Sequence, residues 1–259
     1  MGASEKEVKL TVQQQRVLKL LFKFRYISAQ LLGQVMGIRR VSAYEVLEKL
    51  ISNGLATKVY KNEYRIHGKP AYYYLNKIGV TTVRKLMDVK ESAVHALYKN
   101  EEATEEFIDH CLKLTQLYTS IMPSLPDNSD IFTKTEINRF KQFPKNRPDL
   151  YIRTSDGHEA IVVLVDEKTP YIIRKRLDEI ITHSEDRGWE GDYPRICFVL
   201  RDGNAKNSFL YTTRKKLESM GFDEDEIYIL AASLKAIKEE SRLMWSNALN
   251  PKKYVSLFE

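Results

Sequence analysis

The stretch SAQLLGQVMGIRRVSAYEVLEKLISNG, residues 28–54, contains two helical patterns joined by a tight connection. The first pattern places apolar residues at helical spacing between a capping serine and a glycine stop: Ser28, Leu31, Leu32, Val35, Met36 and Gly37. The second begins with Ser42 and Glu45 in capping-box register and ends at Gly54. Its apolar face consists of Val46, Leu47, Leu50 and Ile51. Two short helices in this arrangement predict a helix-turn-helix.

Another helix is predicted before this stretch. In TVQQQRVLKLLFKF, residues 11–24, the apolar residues recur at helical spacing: Val17, Leu18, Leu21 and Phe24. Lys19 and Lys23 fall on the opposite face, which we expect to be solvated. The N-terminal part therefore contains three predicted helices.

Two β-strand patterns follow the third helix. They are LATKVY, residues 55–60, and AYYYL, residues 71–75, and the segment KNEYRIHGKP between them is predicted as a loop. We interpret Tyr72, Tyr73 and Tyr74 as strand packing and His67 as a solvated loop residue. Three helices followed by a β-hairpin resemble the winged-helix family over about residues 10–90.

The winged-helix resemblance implies a DNA-binding surface. In that family the third helix enters the DNA major groove, and the hairpin, called the wing, touches the backbone or the minor groove. The candidate residues are Arg39, Arg40, Ser42 and Tyr44 at the start of the third helix, and Lys58, Lys61, Arg65 and Lys69 on the hairpin. Arginine suits this role because its planar guanidinium can bond two acceptors on guanine or grip a phosphate.

The charge of the chain is divided between its two parts. Residues 1–90 contain 17 Lys and Arg against 6 Asp and Glu, a balance of +11, whereas residues 91–259 contain 24 against 29, a balance of −5. A basic segment beside an acidic one predicts a polyanion-binding module joined to a part with another task, and double-stranded DNA is the expected partner. The alternative, a helix-hairpin unit that serves only protein contacts, fits this charge less well.

Length and composition favour two soluble domains. With 259 residues and 43% hydrophobic content, the chain exceeds one average domain and can bury ordinary cores. Cys111 and Cys197 form no CxxC motif, so neither a disulfide framework nor a zinc site is indicated. The first residues lack the apolar core of a signal peptide, and no apolar run approaches the roughly 20 residues that span a bilayer. We expect a cytoplasmic protein without a membrane partner, and the sequence leaves open whether it forms a homo-oligomer.

The sequence predicts three parts: a winged-helix DNA-binding domain over residues 1–90, a helical connection over 91–130 and a nuclease-like α/β domain over 131–259. The connection is predicted to be helical for most of its length and to end in the loop PSLPDNSD. Its acidic residues at positions 101, 102, 105, 106 and 109 are interpreted as a solvated face.

Strand and helix patterns alternate in the last part. The order is strand (IFTKTEI), strand (PDLYI), strand (EAIVVLVD), helix (IIRKRLDEIITH), strand (RICFVL), helix (NSFLYTTRKKLESM), strand (EIYILA) and helix (SLKAIKEESRLMW). Such alternation predicts an α/β layered sheet. Together with the helix before the first strand, the chain shows the order helix, three strands, helix and strand. This order resembles that of the PD-(D/E)XK nuclease fold.

Three residues of this part suggest a metal site that cuts nucleic acid. A phosphodiester nuclease needs carboxylates to hold Mg²⁺ and a lysine to stabilise charge or position water. Strand alternation puts Asp166 and Lys168 on one face, and Asp149 on the neighbouring strand can meet Asp166 across one cation. The alternative is that Asp166 ends a strand or caps the next helix and that Lys168 faces solvent.

A narrower resemblance covers nearly the whole chain. The order of features along the chain resembles the replication-relaxation family of mobile-element proteins. These features are a winged helix, the motifs FIDHCL, RPDLYI and LVDEKT, and then a basic helix. Such proteins are associated with plasmid replication or with relaxosomes, which prepare DNA for conjugation. Asp149, Asp166 and Thr169 match the family pattern, whereas Leu164 stands where the family usually has an acid. Glu136 is the candidate for a third acid.

The resemblance implies a duplex-DNA-binding accessory protein of plasmid or mobile-element replication or conjugation, with a relaxase or replication protein as partner. The nuclease-like domain would serve mainly as a scaffold, and DNA binding would require no cofactor. One alternative is a Mg²⁺-dependent endonuclease that is targeted by the winged helix, with Asp149, Asp166 and Lys168 as catalytic residues and the two aspartates as metal ligands. The other is a ligand-responsive transcriptional regulator, although no Gly-rich phosphate loop or dinucleotide fingerprint indicates a nucleotide ligand.

Overall fold

A computed structural model of the chain describes residues 9–89, 91–166, 169–186, 189–223, 226–239, 244–252 and 254–258. The chain is mixed α/β, as predicted, and divides into two compact units, Met1–Gln116 and Leu117–Glu259. The boundary between the units falls inside the segment predicted as the connection. Within the described ranges, no helix combines the length and apolar character that a membrane span requires.

The first unit contains helices and a three-stranded antiparallel sheet. Its elements are α1 (Val12–Phe24), β1 (Ile27–Ser28), α2 (Ala29–Met36), α3 (Arg40–Ser52), β2 (Ala56–Val59), α4 (Asn62–Ile66), β3 (Tyr72–Leu75), α5 (Lys77–Met87), α6 (Glu91–Val94), a 3₁₀ helix (His95–Glu102) and α7 (Glu105–Ile121), which continues past the boundary. β3 is the central strand and pairs antiparallel with β1 and β2. Helices α1 to α3 and the β2–β3 hairpin follow the predicted winged-helix order.

Caps and buried apolar faces explain the first helices. Thr11 and Gln14 form a capping box at the start of α1. At the start of α2, Ser28 Oγ accepts a hydrogen bond from the Leu31 N–H at 3.2 Å, as predicted, and Gly37 ends α2 in a left-handed conformation with φ 68°. Most of the apolar residues predicted for α1 and α3 are buried: Val17, Leu18, Leu21, Phe24, Val46, Leu47 and Leu50.

α3 begins earlier than the sequence predicts. It starts at Arg40, with Arg39 as an extended N-cap residue whose side chain makes no capping hydrogen bond. The predicted capping box between Ser42 and Glu45 is therefore wrong, because Ser42 already lies inside the first turn of the helix. The two arginines thus occupy the N-terminal end of α3.

The segment KNEYRIHGKP, predicted as a loop, contains the short helix α4. Tyr64 in α4 is buried, its ring centre lies 5.9 Å from that of Tyr72, and the two hydroxyl oxygens are 3.3 Å apart. The segment folds back to bury this ring, which accounts for the helical turn. Tyr72, Tyr73 and Tyr74 are buried in the central strand, as the packing interpretation predicts, and His67 is exposed.

The connection is helical for most of its length, as predicted, and is divided into α6, the 3₁₀ helix and α7. Ala103 is extended after the 3₁₀ helix. Thr104 Oγ1 then accepts a hydrogen bond from the Phe107 N–H at 3.3 Å, at the start of α7. A new helix therefore begins here, with its own cap.

The second unit is built on one mixed sheet. Its elements are a 3₁₀ helix (Met122–Ser124), β4 (Asp130–Thr133), α8 (Lys134–Ile137), β5 (Leu150–Arg153), β6 (Glu159–Val165), α9 (Pro170–Glu185), β7 (Arg195–Leu200), α10 (Gly203–Met220), β8 (Ile229–Ser233), α11 (Leu234–Glu239), β9 (Trp245–Asn247) and β10 (Tyr254–Val255). The strand order is β10-β9-β8-β7-β6-β5-β4. β4, β5 and β6 form an antiparallel meander, and β6, β7 and β8 are parallel. Residues of one sheet face form the core together with α9 and α10.

Two predictions for this unit are wrong at their ends. IFTKTEI is a strand only as far as Thr133, because Thr133 and Glu136 form a capping box that starts α8. Trp245, predicted as the end of a helix, lies in β9, where it is buried and pairs with Val255 of β10. Burial of the indole in the sheet outweighs the helical spacing of the preceding residues. The sequence predicts neither β9 nor β10.

Gly79 in α5 marks a close approach between this helix and the chain before β2. A Cβ at this position would lie 1.9 Å from the carbonyl oxygen of Leu55. We expect Gly79→Ala to push α5 away from Leu55 and to lower the free energy of unfolding by about 1–3 kcal/mol, the usual cost of overpacking. Urea titration followed by circular dichroism measures the change.

Gly203→Ala is the control for this prediction. A Cβ on Gly203, the first residue of α10, meets no atom within 4 Å, and alanine favours a helix. This variant should keep or slightly raise the free energy of unfolding. Equal losses in the two variants would contradict the importance of the contact at Gly79.

Candidate nucleic-acid interface

A groove of about 740 Å³ lies between the start of α2, the start of α3 and the hairpin of the first unit. Five of the residues predicted to contact DNA line it: Arg40, Tyr44, Lys58, Arg65 and Lys69. Arg39, Ser42 and Lys61 are outside its lining. Arg39 is exposed beside Arg40, Ser42 is half-buried in the first turn of α3, and Lys61 is exposed before α4. The fold therefore brings predicted residues from the start of α3 and from the hairpin to one concave surface.

The first turn of α3 is open to solvent while its inner face is buried. Arg40 is exposed, Val41 and Tyr44 are 66% and 42% exposed, and Ala43 between them is fully buried. Val41 lines the groove, although the sequence analysis does not single it out. One valine in an amphipathic pattern carries no sequence signal, because periodicity assigns apolar residues to the core.

Lys58 on β2 is held by an acid of α3. Its Nζ lies 2.9 Å from Glu48 Oε1, 3.5 Å from the Tyr44 hydroxyl and 5.0 Å from the centre of the Tyr44 ring. The hydrogen bond to Glu48 is the largest cause that raises the pKa of Lys58 above its usual value, and partial burial opposes it. Lys58 therefore ties the hairpin to α3.

The acidic face of α7 reaches the other two hairpin lysines. Glu105 Oε1 lies 2.6 Å from Lys61 Nζ and accepts a hydrogen bond from the Tyr64 hydroxyl at 2.6 Å. Asp109 Oδ2 lies 3.8 Å from Lys69 Nζ. The hydrogen bond from Lys61 is the largest cause that holds the pKa of Glu105 below its usual value. The interpretation of the acids at positions 101, 102, 105, 106 and 109 as a solvated face is incomplete, because Glu105 and Asp109 each have a cation partner.

The arginines and lysines of this surface differ in their partners. Within the described ranges, each of the three lysines has a carboxylate partner: Lys58, Lys61 and Lys69. None of the three arginines has such a partner within these ranges: Arg39, Arg40 and Arg65. The unpaired cations are therefore guanidinium groups, whose planar donors suit bidentate recognition of phosphate or guanine. Sequence reasoning cannot find this difference, because Glu105 and Asp109 lie on α7, far from the hairpin in the sequence.

Asp149 and Asp166 lie at the same edge of the sheet in the second unit. Asp149 directly precedes β5 and Asp166 directly follows β6. These strands are adjacent and antiparallel, so the start of one meets the end of the other. Both side chains are buried, at 4% and 8% exposure. The adjacent strands expected for the two aspartates are present.

Asp149 has a structural contact in addition to its predicted chemical role. Its Oδ2 accepts a hydrogen bond from the backbone N–H of Leu164 at 2.8 Å, and its own N–H donates to the carbonyl oxygen of Val162 at 2.9 Å. Leu164 is fully buried in β6, where a backbone N–H needs an acceptor. The carboxylate therefore contributes to the pairing of β5 and β6.

The remaining predicted metal-site residues do not complete a cluster in the described part of the chain. Glu136 Oε2 accepts a hydrogen bond from the Thr133 N–H at 2.9 Å, as part of the capping box of α8. Lys168 lies outside the described residues. Among those residues, no group of three or more His, Cys, Asp or Glu side chains could hold a metal ion. The metal-binding and catalytic roles of Asp149 and Asp166 stay predictions.

A family model described as Replication-relaxation matches residues 18–178, which is more than half of the chain. The chain belongs to the replication-relaxation family. The resemblance to this family is thereby confirmed over residues 18–178. The family match begins in α1 and ends in α9. It therefore includes α3, the hairpin and α7 of this replication-relaxation protein, and also the sheet edge with Asp149 and Asp166.

Two solved structures resemble this replication-relaxation protein distantly. A mutant of Lactococcus lactis ZitR in complex with DNA is 18% identical, with a TM-score of 0.28, and the match covers 48% of this chain and 81% of that chain. TrmBL2, an archaeal chromatin protein, is 16% identical, with a TM-score of 0.24, and the match covers 88% of this chain and 74% of that chain. Among curated proteins, none matches significantly. The winged-helix description therefore rests on the element order and strand pairing of the chain itself.

The hydrogen bond from Leu164 to Asp149 predicts unequal effects of two substitutions. Asp149→Ala leaves a buried N–H without this acceptor, so we expect the free energy of unfolding to fall by about 1–3 kcal/mol. Asp149→Asn retains a side-chain oxygen and should cost less. Urea titration of both variants measures the difference. Asp192→Ala, at an exposed acid of the same unit, should have little effect. An Asn variant as unstable as the Ala variant would show that this site needs the charge and not only the acceptor.

Proposed function

We propose that the chain is a duplex-DNA-binding accessory protein in the replication or conjugation of a plasmid or mobile element. The observation that carries this proposal is the groove between α3 and the hairpin, with Arg40 and Arg65 in its lining and without a carboxylate partner among the described residues. The groove lies on a segment with a charge balance of +11, which favours a polyanionic ligand. Membership of the replication-relaxation family supports a role in DNA replication.

In this proposal α3 enters the DNA major groove with its first turn. α3 has 13 residues and exposes Arg39 and Arg40 at its N-terminal end, where the helix dipole also favours phosphate. The major groove, about 12 Å wide, accommodates an α-helix. Arg40, which lines the groove, is the candidate for reading guanine. Arg65 in α4 is the candidate for a phosphate contact from the hairpin.

The second unit is proposed to engage a relaxase, a replication protein or additional DNA. Its meander β4–β6, followed by α9 and the parallel strand β7, has the order expected of a PD-(D/E)XK fold. Because Asp149 contributes to strand pairing, the fold itself gives a reason for this carboxylate. We therefore assign the unit a scaffold role.

DNA binding by the 259-residue chain tests the main proposal. Affinity for duplex DNA should fall steeply with salt, because phosphate contacts release counterions. Arg40→Ala should cost about 1–3 kcal/mol on a site selected from a random pool and should reduce discrimination against a scrambled site. Arg65→Ala should weaken binding to both sites alike. Fluorescence anisotropy over a salt series measures these affinities.

Lys19→Ala is the control for these variants. Lys19 is exposed on α1 and is outside the lining of the groove, so its replacement removes one positive charge without touching the proposed interface. Binding that does not depend on salt would contradict the DNA-binding proposal. Equal losses for Lys19→Ala and Arg40→Ala would show that α3 does not read bases.

A second candidate function, a Mg²⁺-dependent endonuclease, is favoured by the position of Asp149 and Asp166 at one sheet edge. We expect weak or no cleavage, because Leu164 offers no carboxylate and Glu136 caps α8. The assay incubates the protein with supercoiled plasmid and Mg²⁺ or Mn²⁺. Robust nicking that disappears in both Asp166→Asn and Lys168→Ala would make the endonuclease the primary function.

A further inference from the structure

Two acids of α7 stand one helical turn apart and each faces a lysine of the hairpin. Glu105 Oε1 is 2.6 Å from Lys61 Nζ, and Asp109 Oδ2 is 3.8 Å from Lys69 Nζ. All four side chains are partly exposed, so an anion from solution can reach the same ammonium groups. Residues at i and i+4 share one helix face, which is why a single face of α7 can serve both lysines.

We propose that Glu105 and Asp109 compete with DNA phosphates for Lys61 and Lys69, and so determine which cations of the hairpin contact DNA. This proposal rests on the proposed DNA-binding function and adds two positioning residues that lie outside the groove. A carboxylate and a phosphate offer an ammonium group the same kind of anionic oxygen. Arg65, which has no carboxylate partner among the described residues, remains the hairpin cation available to phosphate.

The contact at Glu105 is fixed more firmly than an ordinary surface ion pair. Surface pairs are usually weak, because ordering two long side chains costs entropy. Here the Glu105 carboxylate also accepts a hydrogen bond from Tyr64 at 2.6 Å, and Tyr64 is itself buried against Tyr72. The acceptor is therefore already held beside Lys61. The same contact connects α7 to α4.

The test uses the 259-residue chain with Glu105→Gln and Asp109→Asn combined. Glutamine keeps an oxygen that can accept from Tyr64, so the contact between α7 and α4 is retained. We expect severalfold higher affinity for duplex DNA at low salt. The slope of log affinity against log salt should steepen by about 0.9 for each lysine released to a phosphate. Anisotropy titrations at several salt concentrations measure both quantities.

A matched control removes two other acids nearby. Glu101 and Glu102 are exposed before α7, and among the described contacts neither pairs with a hairpin lysine. Glu101→Gln combined with Glu102→Gln should leave the salt slope unchanged. An equal change in slope from this control would overturn the proposal, because it would indicate long-range repulsion and not local competition.

A second arm removes the lysines. With Lys61→Gln and Lys69→Gln present, neutralising Glu105 and Asp109 should no longer steepen the slope, and a steepening that persists would overturn the proposal. If thermal unfolding shows that the Glu105 variant is destabilised, Asp109→Asn alone should give about half the steepening, since its only described partner is Lys69.

The two proposals fail in different ways. Absence of salt-dependent binding in every form would overturn the DNA-binding function, and this inference with it. Salt-dependent binding by the unaltered protein, with an unchanged slope when Glu105 and Asp109 are neutralised, would overturn this inference alone.

Discussion

Burial of one face of α3 is the interaction on which the surface of the first unit depends. Ala43, Val46, Leu47 and Leu50 are buried, and each buried valine or leucine contributes about 1.5–3 kcal/mol relative to an exposed one. These contacts fix the rotation of the helix about its axis. Successive residues of an α-helix are rotated by about 100° around the helix axis. Arg40 and the other residues on the opposite side from the buried face must therefore point outward. The candidate interface is thus a consequence of core packing.

The same packing redistributes the charge that the sequence assigns to the N-terminal segment. The balance of +11 over residues 1–90 counts every hairpin lysine. The compact unit, however, extends to Gln116, and its last helix brings Glu105 and Asp109 to two of those lysines. Net charge along the chain therefore overstates the positive charge available at the hairpin. The cations of this surface that lack a carboxylate partner among the described residues are arginines, and this favours directional recognition over diffuse attraction.

The sequence correctly predicts those helices that are stabilised by the apolar spacing and caps of their own short segments. The apolar repeats of α1 and α3 and the cap at Ser28 are properties of short segments, and the structure contains them. The capping-box pattern at Ser42 is misleading because Ser and Glu at that spacing also fit inside a helix that starts at Arg40. α4 depends on burial of Tyr64 against Tyr72 of β3, and β9 depends on burial of Trp245 and its pairing with β10. Such contacts leave no periodic signal, so neither they nor the pairs with α7 can be predicted from local sequence.

The burial of Leu164 supports the scaffold role that we propose for the second unit. Its side chain is fully buried in β6, at the position where the family pattern usually has an acid. A buried carboxylate without a cation carries a large desolvation cost, whereas a bound metal offsets that cost. Leucine at this position carries no such cost. Asp149 remains compatible with this interpretation, because one of its oxygens accepts the Leu164 N–H. The Asp149 carboxylate thus satisfies a buried N–H of β6, and this contact agrees with the scaffold role proposed for the unit.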